Sequence, residues 1–154
     1  MKSIGSHYIF ALLAIPIFVC AADYQFAPID LDAMDGAITS QTDVRQGSSN
    51  TIIISISGDA QITADNAETA QLHSETDTLV TEYKLRYVYH NVDQTTEYTG
   101  HDTFLLSPVN IRFIPGHSDI SITLYVKASN NPDEVADSGT YTATQTLTVT
   151  WDGP

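Results

Sequence analysis

The last part of the chain is the feature that most constrains its fold. Every even position from Thr140 to Thr150 is threonine. The odd positions of the same stretch are mostly apolar, namely Tyr141, Ala143, Gln145, Leu147, Val149 and Trp151. Successive side chains of a β-strand point to opposite faces, so one face would be a row of hydroxyl groups and the other apolar, with Gln145 as its polar exception. The pattern predicts a closing strand, over residues 139–151, that packs on a core.

Three earlier segments, residues 51–57, 83–90 and 120–127, repeat this alternation. The first is followed by Gly58-Asp59, which is typical of a turn. Each segment is therefore predicted to be a strand with one buried face. The side chains expected on these buried faces are Ile52, Ile54, Ile56, Tyr83, Leu85, Tyr87, Tyr89, Ile120, Ile122, Leu124 and Val126.

Weaker patterns fill much of the remaining chain. Strands are predicted at residues 95–99, 103–106 and 110–114, a loop or one short helix at residues 65–73, and a polar loop at residues 129–138. About seven or eight short strands with frequent turn signals are typical of an antiparallel β-sandwich. The sequence thus predicts an all-β fold, a single immunoglobulin-like antiparallel β-sandwich.

The start of the chain resembles an export signal. Lys2 supplies a basic beginning, residues 8–19 are apolar, and the segment ends in small residues up to Ala22. These are the three parts of a secretory signal peptide. We therefore predict a signal peptide over residues 1–22, cleaved after Ala22, with residues 23–154 as the one domain.

Two alternatives to a cleaved signal are a membrane anchor and a lipid anchor on Cys20. The apolar run is shorter than the ~20 residues that a spanning helix needs, and it contains Pro16. Residues 17–19 are bulky where a lipoprotein signal has small residues. We expect no stable membrane span after cleavage.

Charge excludes several classes of partner. Of the 6 basic and 19 acidic residues, only Lys2 would leave with the signal, so the mature net charge would be −14. Binding nucleic acid requires lysine and arginine to replace the counterions of phosphate, and anionic lipid selects for the same residues. The only cysteine, Cys20, would also be removed. No nucleic-acid partner, disulfide or covalent cysteine chemistry is therefore expected.

No catalytic constellation emerges. The sequence has no Gly-x-Ser-x-Gly elbow, and Asp30 and Asp32, which share a strand face, lie near the N-terminus without an evident cleft. The four histidines of the mature chain lack the spacings of a zinc helix or a His-x-His pair. We predict no metal, no cofactor and no enzymatic activity. These histidines are His73, His90, His101 and His117.

Aromatic and basic residues offer two possible binding surfaces. Tyr83, Tyr87 and Tyr89 share one strand face, where they would either stack on a glycan or form part of the core. Four of the basic residues lie on predicted strands and would form a small basic face for an acidic neighbour if they were coplanar. They are Lys84, Arg86, Arg112 and Lys127.

The closing segment also carries a resemblance. Residues 136–142 read Ala-Asp-Ser-Gly-Thr-Tyr-Thr before the threonine alternation. This resembles the last strand of chaperone–usher fibre subunits, especially F1-capsule-like and spore-coat-U-like pilins, whose tails run Ala-Gly-x-Tyr-Thr into alternating Thr/Val. The absence of a disulfide and the presence of Pro28 depart from the usual pattern.

The resemblance implies a structural subunit of a bacterial surface fibre or capsule-like coat, active in cell adhesion. Such a subunit passes through the periplasm with a chaperone, reaches the cell surface through an outer-membrane usher, and joins neighbouring copies or related subunits by donor-strand exchange. The donor face here would be Ala27, Ile29, Leu31 and Ala33 within residues 23–33. Two alternatives stay open. Residues 24–31 would be the domain's own edge strand, or the chain would be a self-contained secreted sandwich that binds glycan or protein.

Overall fold

The computed structural model describes residues 19–25, 38–137 and 139–152. These residues form ten strands and one short 3₁₀ helix, Glu68–Ala70. All strand pairs are antiparallel and fall into two sheets, so the all-β prediction is confirmed. The strands are β1 (Val19–Gln25), β2 (Val44–Ser48), β3 (Ile52–Ser55), β4 (Ala60–Ala64), β5 (Val80–Tyr89), β6 (Val92–Thr95), β7 (Thr99–Gly100), β8 (Val109–Ile111), β9 (Asp119–Ser129) and β10 (Thr146–Asp152).

The first sheet has the order β1-β10-β4-β8. The closing strand β10 is central, because β1 pairs with one side of it and β4 with the other. The β1 register runs from Val19 opposite Asp152 to Gln25 opposite Thr146. At the far edge, β8 pairs with β4 over only three residues.

The second sheet is built around the long pair β5 and β9, which match from Val80 opposite Ser129 to Tyr89 opposite Ile120. Two short strands share each outer edge. β2 and β3 both pair with β9, and β6 and β7 both pair with β5. Each edge of this sheet is therefore one broken strand.

The inner faces of the two sheets share one apolar core. Alternation predicted this core well. Of the positions expected to face inward on the three clear strands, all are buried except Ile52 and Tyr87, and these two are partly buried against the core cluster. The first sheet adds residues from β4, β8 and β10. The side chains that are least exposed in the cluster include Ile54, Ile62, Leu85, Phe104, Ile120, Ile122, Leu147 and Val149.

Both edges of the second sheet break at the same rung, where Leu85 of β5 faces Leu124 of β9. On one side, the Ser49 amide donates to the Leu124 carbonyl oxygen (2.8 Å), and the Leu124 amide donates to Ser49 Oγ (3.0 Å). On the other side, the Thr96 amide donates to the Leu85 carbonyl oxygen (2.8 Å), and the Leu85 amide donates to Thr96 Oγ1 (2.9 Å). A hydroxyl group thus replaces the missing carbonyl of the neighbouring strand at each break.

The closing segment differs from its prediction in one respect. The alternation of buried and exposed positions continues from Tyr141 to Trp151, but β10 begins only at Thr146. The preceding residues instead pair with the connection between β4 and β5, through the Thr142–His73 bridge and a bond from the Thr144 amide to the Thr69 carbonyl oxygen (2.6 Å).

The polar exception in the apolar face, Gln145, marks the point where the closing segment enters the first sheet. It is 7% exposed, and its Nε2 donates to Asp65 Oδ1 (2.9 Å) and to the Thr146 carbonyl oxygen (3.2 Å). Asp65 directly follows β4, so this buried amide ties the start of β10 to the end of its neighbour. Burial of Nε2 without such a partner would be costly, and Oε1 of the same amide is buried with no hydrogen-bond partner among the described residues.

Several weaker predictions need correction. The strand predicted at residues 95–99 covers the last residue of β6, the gap between β6 and β7, and the first residue of β7. Of the strand predicted at residues 110–114, only residues 110 and 111, the end of β8, are in a strand. Residues 103–106 form no strand, because the chain turns there, with Leu105 at φ 51° and Phe104 buried against Tyr83.

The polar loop predicted over residues 129–138 has no regular secondary structure in its described part from residue 130 to 137. The loop or one short helix predicted over residues 65–73 contains the 3₁₀ helix Glu68–Ala70, so this prediction is confirmed.

The hydroxyl closure of the broken edges predicts a specific loss of stability. T96V keeps the shape of the side chain but leaves the Leu85 amide without an acceptor, which should lower the free energy of unfolding by about 1–3 kcal/mol. Thr95→Val, at an exposed position of β6, is the matched control and should have little effect. Urea unfolding of both variants checks this. Equal stability of T96V and wild type would show that the closure is dispensable.

Gly58 makes a close approach that no other residue allows. A Cβ at this position would lie 1.2 Å from the Asp152 carbonyl oxygen, so the β3–β4 turn and the end of β10 would have to separate. G58A should therefore destabilise the chain by at least about 1–3 kcal/mol, the usual cost of overpacking. Gly139→Ala meets nothing within 4 Å and is the control. Thermal melts that rank the two variants equally would contradict this.

Candidate functional site

The outer side of β10 is the candidate site for strand addition. Toward the β4 side, the Asp65 amide donates to the Thr146 carbonyl oxygen (3.1 Å), and the Asp152 amide donates to the Asp59 carbonyl oxygen (3.0 Å). Even positions of β10 therefore direct their backbone groups to β4. Since backbone groups of an antiparallel strand alternate in direction, Leu147, Val149 and Trp151 direct theirs to β1.

The strand that covers this side, β1, spans the predicted cleavage site after Ala22. Of its seven residues, Val19–Ala22 belong to the predicted signal peptide and Asp23–Gln25 to the mature domain. The signal part lies opposite residues 149–152 of β10. The backbone partner of Val149 and Trp151 is thus a segment that the sequence predicts to be removed.

The predicted donor face lies outside the described residues, as do Asp30 and Asp32 and most of the predicted signal. Only Tyr24 and Gln25 of the alternative edge strand, predicted over residues 24–31, are described, and they form part of β1. Neither the donor-strand nor the edge-strand interpretation is therefore decided for Ala27, Ile29, Leu31 and Ala33.

The predicted residues of the closing strand hold it in the sheet. Leu147 and Val149 are 1% and 0% exposed in the core, and Tyr141, Ala143 and Trp151 are half-buried against it. Apolar side chains therefore hold the inner face of β10 against the core, while its backbone groups pair with the neighbouring strands. This arrangement leaves the edge chemistry independent of the side chains that anchor it.

The tyrosines of β5 are core residues. Tyr83 and Tyr89 are 3% and 4% exposed, and Tyr87 packs partly buried against the core cluster. A sugar ring cannot stack on side chains that the opposite sheet covers, so the glycan-surface interpretation does not hold for Tyr83 and Tyr89. Burial raises the pKa of the Tyr83 phenol, with a smaller contribution from Asp65, and its hydroxyl donates to the Ala70 carbonyl oxygen (2.7 Å).

The raised pKa of Tyr83 predicts a loss of stability at alkaline pH. Above the ordinary value of 10.0 the unfolded chain releases this proton while the folded chain retains it, so the stability contributed is present below pH 10 and declines as the pH rises further. Y83F should flatten this decline, besides losing about 1 kcal/mol at neutral pH with the hydrogen bond. Urea midpoints at pH 8 and pH 10.5 measure both effects.

Tyr141→Phe is the control for this prediction. Its hydroxyl also donates to a backbone carbonyl oxygen, that of Asp137 (2.8 Å), but this bond is exposed, so the variant loses a bond of the same kind outside the buried core. A similar alkaline flattening in both variants would rule out Tyr83 as its source.

A basic face exists, but with three of the four predicted members. Lys84, Arg86 and Lys127 alternate with buried residues and share the outer face of the second sheet, whereas Arg112 follows β8 in the other sheet. Arg86 is paired with Asp93 (2.6 Å) and Lys127 with Glu82 (2.5 Å). Carboxylates therefore neutralise much of this face.

Two tyrosines that sequence reasoning did not single out complete the outer face. Lys84 Nζ lies 4.5 Å from the centre of the Tyr98 ring and 4.9 Å from that of Tyr125, and Lys127 Nζ lies 4.8 Å from the Tyr98 ring. The Tyr98 hydroxyl donates to Gln46 Oε1 (3.2 Å), so its ring reaches across β5 and β9 to β2. Desolvation, with the nearby Tyr125 and Glu82, raises the pKa of Tyr98.

The histidines are not all separate. His73 contacts the Gln71 carbonyl oxygen and His101 lies in the turn after β7, but the rings of His90 and His117 lie 3.9 Å apart, centre to centre. Sequence reasoning missed this pair because no local spacing connects the two turns. Within the described residues, no group of three or more histidine, cysteine or acidic residues is placed to hold a metal ion.

Comparison with known proteins assigns no family. No protein-family model matches the chain, and no curated protein or solved structure matches it significantly. Over residues 19–25, 38–137 and 139–152, no helix is long and apolar enough to cross a membrane.

Proposed function

We propose that the chain is an exported structural subunit of a bacterial surface fibre, assembled by strand addition at the outer side of β10. One observation carries the proposal: the strand that pairs with this side, β1, takes four of its seven residues from the predicted signal peptide. Signal cleavage would free the β1-facing backbone groups of Val149 and Trp151. An extended segment of a neighbouring copy would then restore the ladder.

The other sheet edges support this choice of site. The second sheet ends on both sides in broken strands, and at the breaks the hydroxyls of Ser49 and Thr96 accept bonds from the Leu124 and Leu85 amides of the two central strands. At the far edge of the first sheet, β8 has three residues and follows Pro108. Interrupted and short edges are poor templates for pairing, whereas a longer, uninterrupted edge is a good one. Among the described strands, only β10 would present such an edge after cleavage.

Residues 23–33 are the proposed donor. Ala27, Ile29, Leu31 and Ala33 alternate with polar or proline positions, so one apolar face would lie against the acceptor's first sheet while its backbone pairs with β10. Under this proposal the domain is immunoglobulin-like and completed in the fibre. A periplasmic chaperone would cover the β10 edge in transit, and an outer-membrane usher would exchange chaperone for donor, as the pilin resemblance implies.

The proposal is tested by exporting the full chain to a bacterial periplasm. N-terminal sequencing of the recovered protein gives the cleavage site, and gel filtration with unboiled and boiled SDS samples reveals multimers. We expect processing after Ala22 and multimers that withstand SDS until they are heated. A synthetic peptide that copies residues 23–33 should protect the monomer from proteolysis. A processed monomer that melts cooperatively without the peptide would refute strand addition.

Trp151 provides a sharper test of the edge. W151P removes the amide that faces the incoming strand, whereas W151A removes the same indole and keeps the amide. Proline is tolerated where the N–H side of a strand faces solvent, so both monomers should fold equally well. SDS-resistant multimers should form with W151A and not with W151P. Equal multimer formation by the two variants would place the contact elsewhere.

A self-contained binding module is the second candidate function. The observation that favours it is the half-buried cluster of Tyr98, Tyr125, Lys84 and Lys127 on the outer face of the second sheet, which combines aromatic rings with cations. Such a surface suits an acidic glycan or peptide. A stable processed monomer that binds a glycan array, and loses binding in Y98A, would favour this function over the fibre.

A further inference from the structure

His90 and His117 lie side by side at one end of the second sheet. His90 directly follows β5 and turns the chain with a positive φ of 52°, and His117 ends the Pro115-Gly116 turn before β9. Both side chains are exposed, and their ring centres are 3.9 Å apart with the planes inclined by 50°. Two imidazoles are thus in contact at a surface that solvent and ions reach.

The buried Tyr89 holds the turns that carry His90 and His117. Its hydroxyl donates to the His117 carbonyl oxygen (2.8 Å) and accepts a bond from the Ile114 amide (2.8 Å). The same turn is closed by the His117 amide, which donates to the Ile114 carbonyl oxygen (3.0 Å). Because Tyr89 also precedes His90 in the chain, one core residue holds the backbones of both turns. The proximity of the two rings therefore does not depend on a free loop.

We propose that His90 and His117 form a two-imidazole surface site for a divalent transition metal ion, with preference for Cu²⁺ over Zn²⁺. Neutral imidazole is a common protein ligand for both ions, and nitrogen ligands bind copper more tightly than zinc. The side-chain Nδ2 of the exposed Asn91 lies 2.8 Å from His90 Nε2, and in the tautomer with the proton on Nδ1 this Nε2 accepts a bond from it. A metal ion would take the place of Asn91 at that lone pair.

The surroundings determine the strength of the site. The chain has a net charge of −13, which attracts cations to its surface. The first acid after His117 in the chain, Asp119, accepts bonds from the hydroxyls of Ser55 (2.7 Å) and Ser118 (3.1 Å) at the same carboxylate oxygen. Because no third protein ligand stands with the pair among the described residues, water would complete the coordination shell. We expect weaker binding than at a closed site with four protein ligands.

Titration calorimetry of the full chain with CuCl₂, and separately with ZnCl₂, tests the proposal. H90Q and H117Q should each weaken Cu²⁺ binding by at least about tenfold, the lower end of the loss caused by removing even a supporting group. H73Q and H101Q remove histidines that have no imidazole neighbour among the described residues, and they are the matched controls. His7 lies outside those residues, so H7Q is a third control. Equal losses in pair and control variants would overturn the site.

A second measurement needs no variant. Substoichiometric Cu²⁺ broadens proton signals near the bound ion, so the ring protons of His90 and His117 should disappear from the NMR spectrum before those of His73 and His101. Uniform broadening of all histidines would mean binding without a site and would refute the pair. This outcome is independent of strand addition, because the β10 edge belongs to the other sheet.

Discussion

The rung that joins Leu85 to Leu124 is the constraint on which the second sheet depends. Both side chains are buried, so the two central strands cannot shift here without exposing the core. Their backbone groups face the outer edges, and at both edges the neighbouring strand ends. Ser49 and Thr96 supply a hydroxyl acceptor at the point where a carbonyl is missing. The buried rung is therefore satisfied, and the edges outside it are free to bend.

Under the proposed function, this solution also limits where another chain could add a strand. An edge broken at its centre offers only short, offset ladders to another chain, which protects it from unplanned pairing. In the first sheet, by contrast, β10 is uninterrupted over seven residues, and its buried Leu147 and Val149 anchor it against the core. Under the proposed function, protection of one sheet and exposure of one strand are complementary: pairing is directed to a single edge because the other edges are unsuitable.

Alternation along the chain predicted which side chains are buried more reliably than which residues pair. The inward positions of β5, β9 and the closing segment were identified from period-two patterns, since burial of one face imposes that period. β2 and β4 were not predicted, because Val44–Ser48 and Ala60–Ala64 contain few β-branched residues and owe their extended form to partners distant in sequence. The late start of β10 was also missed, because the burial of Gln145 just before it depends on a hydrogen bond to Asp65, which is distant in sequence. The contacts of His90 with His117 and of Tyr98 with Gln46 likewise arise from sheet register, which local sequence does not encode.

The charge of the chain limits how copies could join. With 19 acidic against 6 basic residues, two copies of the chain repel each other. At physiological ionic strength this repulsion is weak beyond about 8 Å, where salt screens it, and strong at shorter distances. The cations offer little compensation, because Arg86 and Lys127 are already paired with acids of their own sheet. Under the proposed function, a durable contact between copies would therefore have to be short-ranged and directional. A backbone ladder with apolar side chains beneath it has these properties, and it requires no charge complementarity between the copies that it joins.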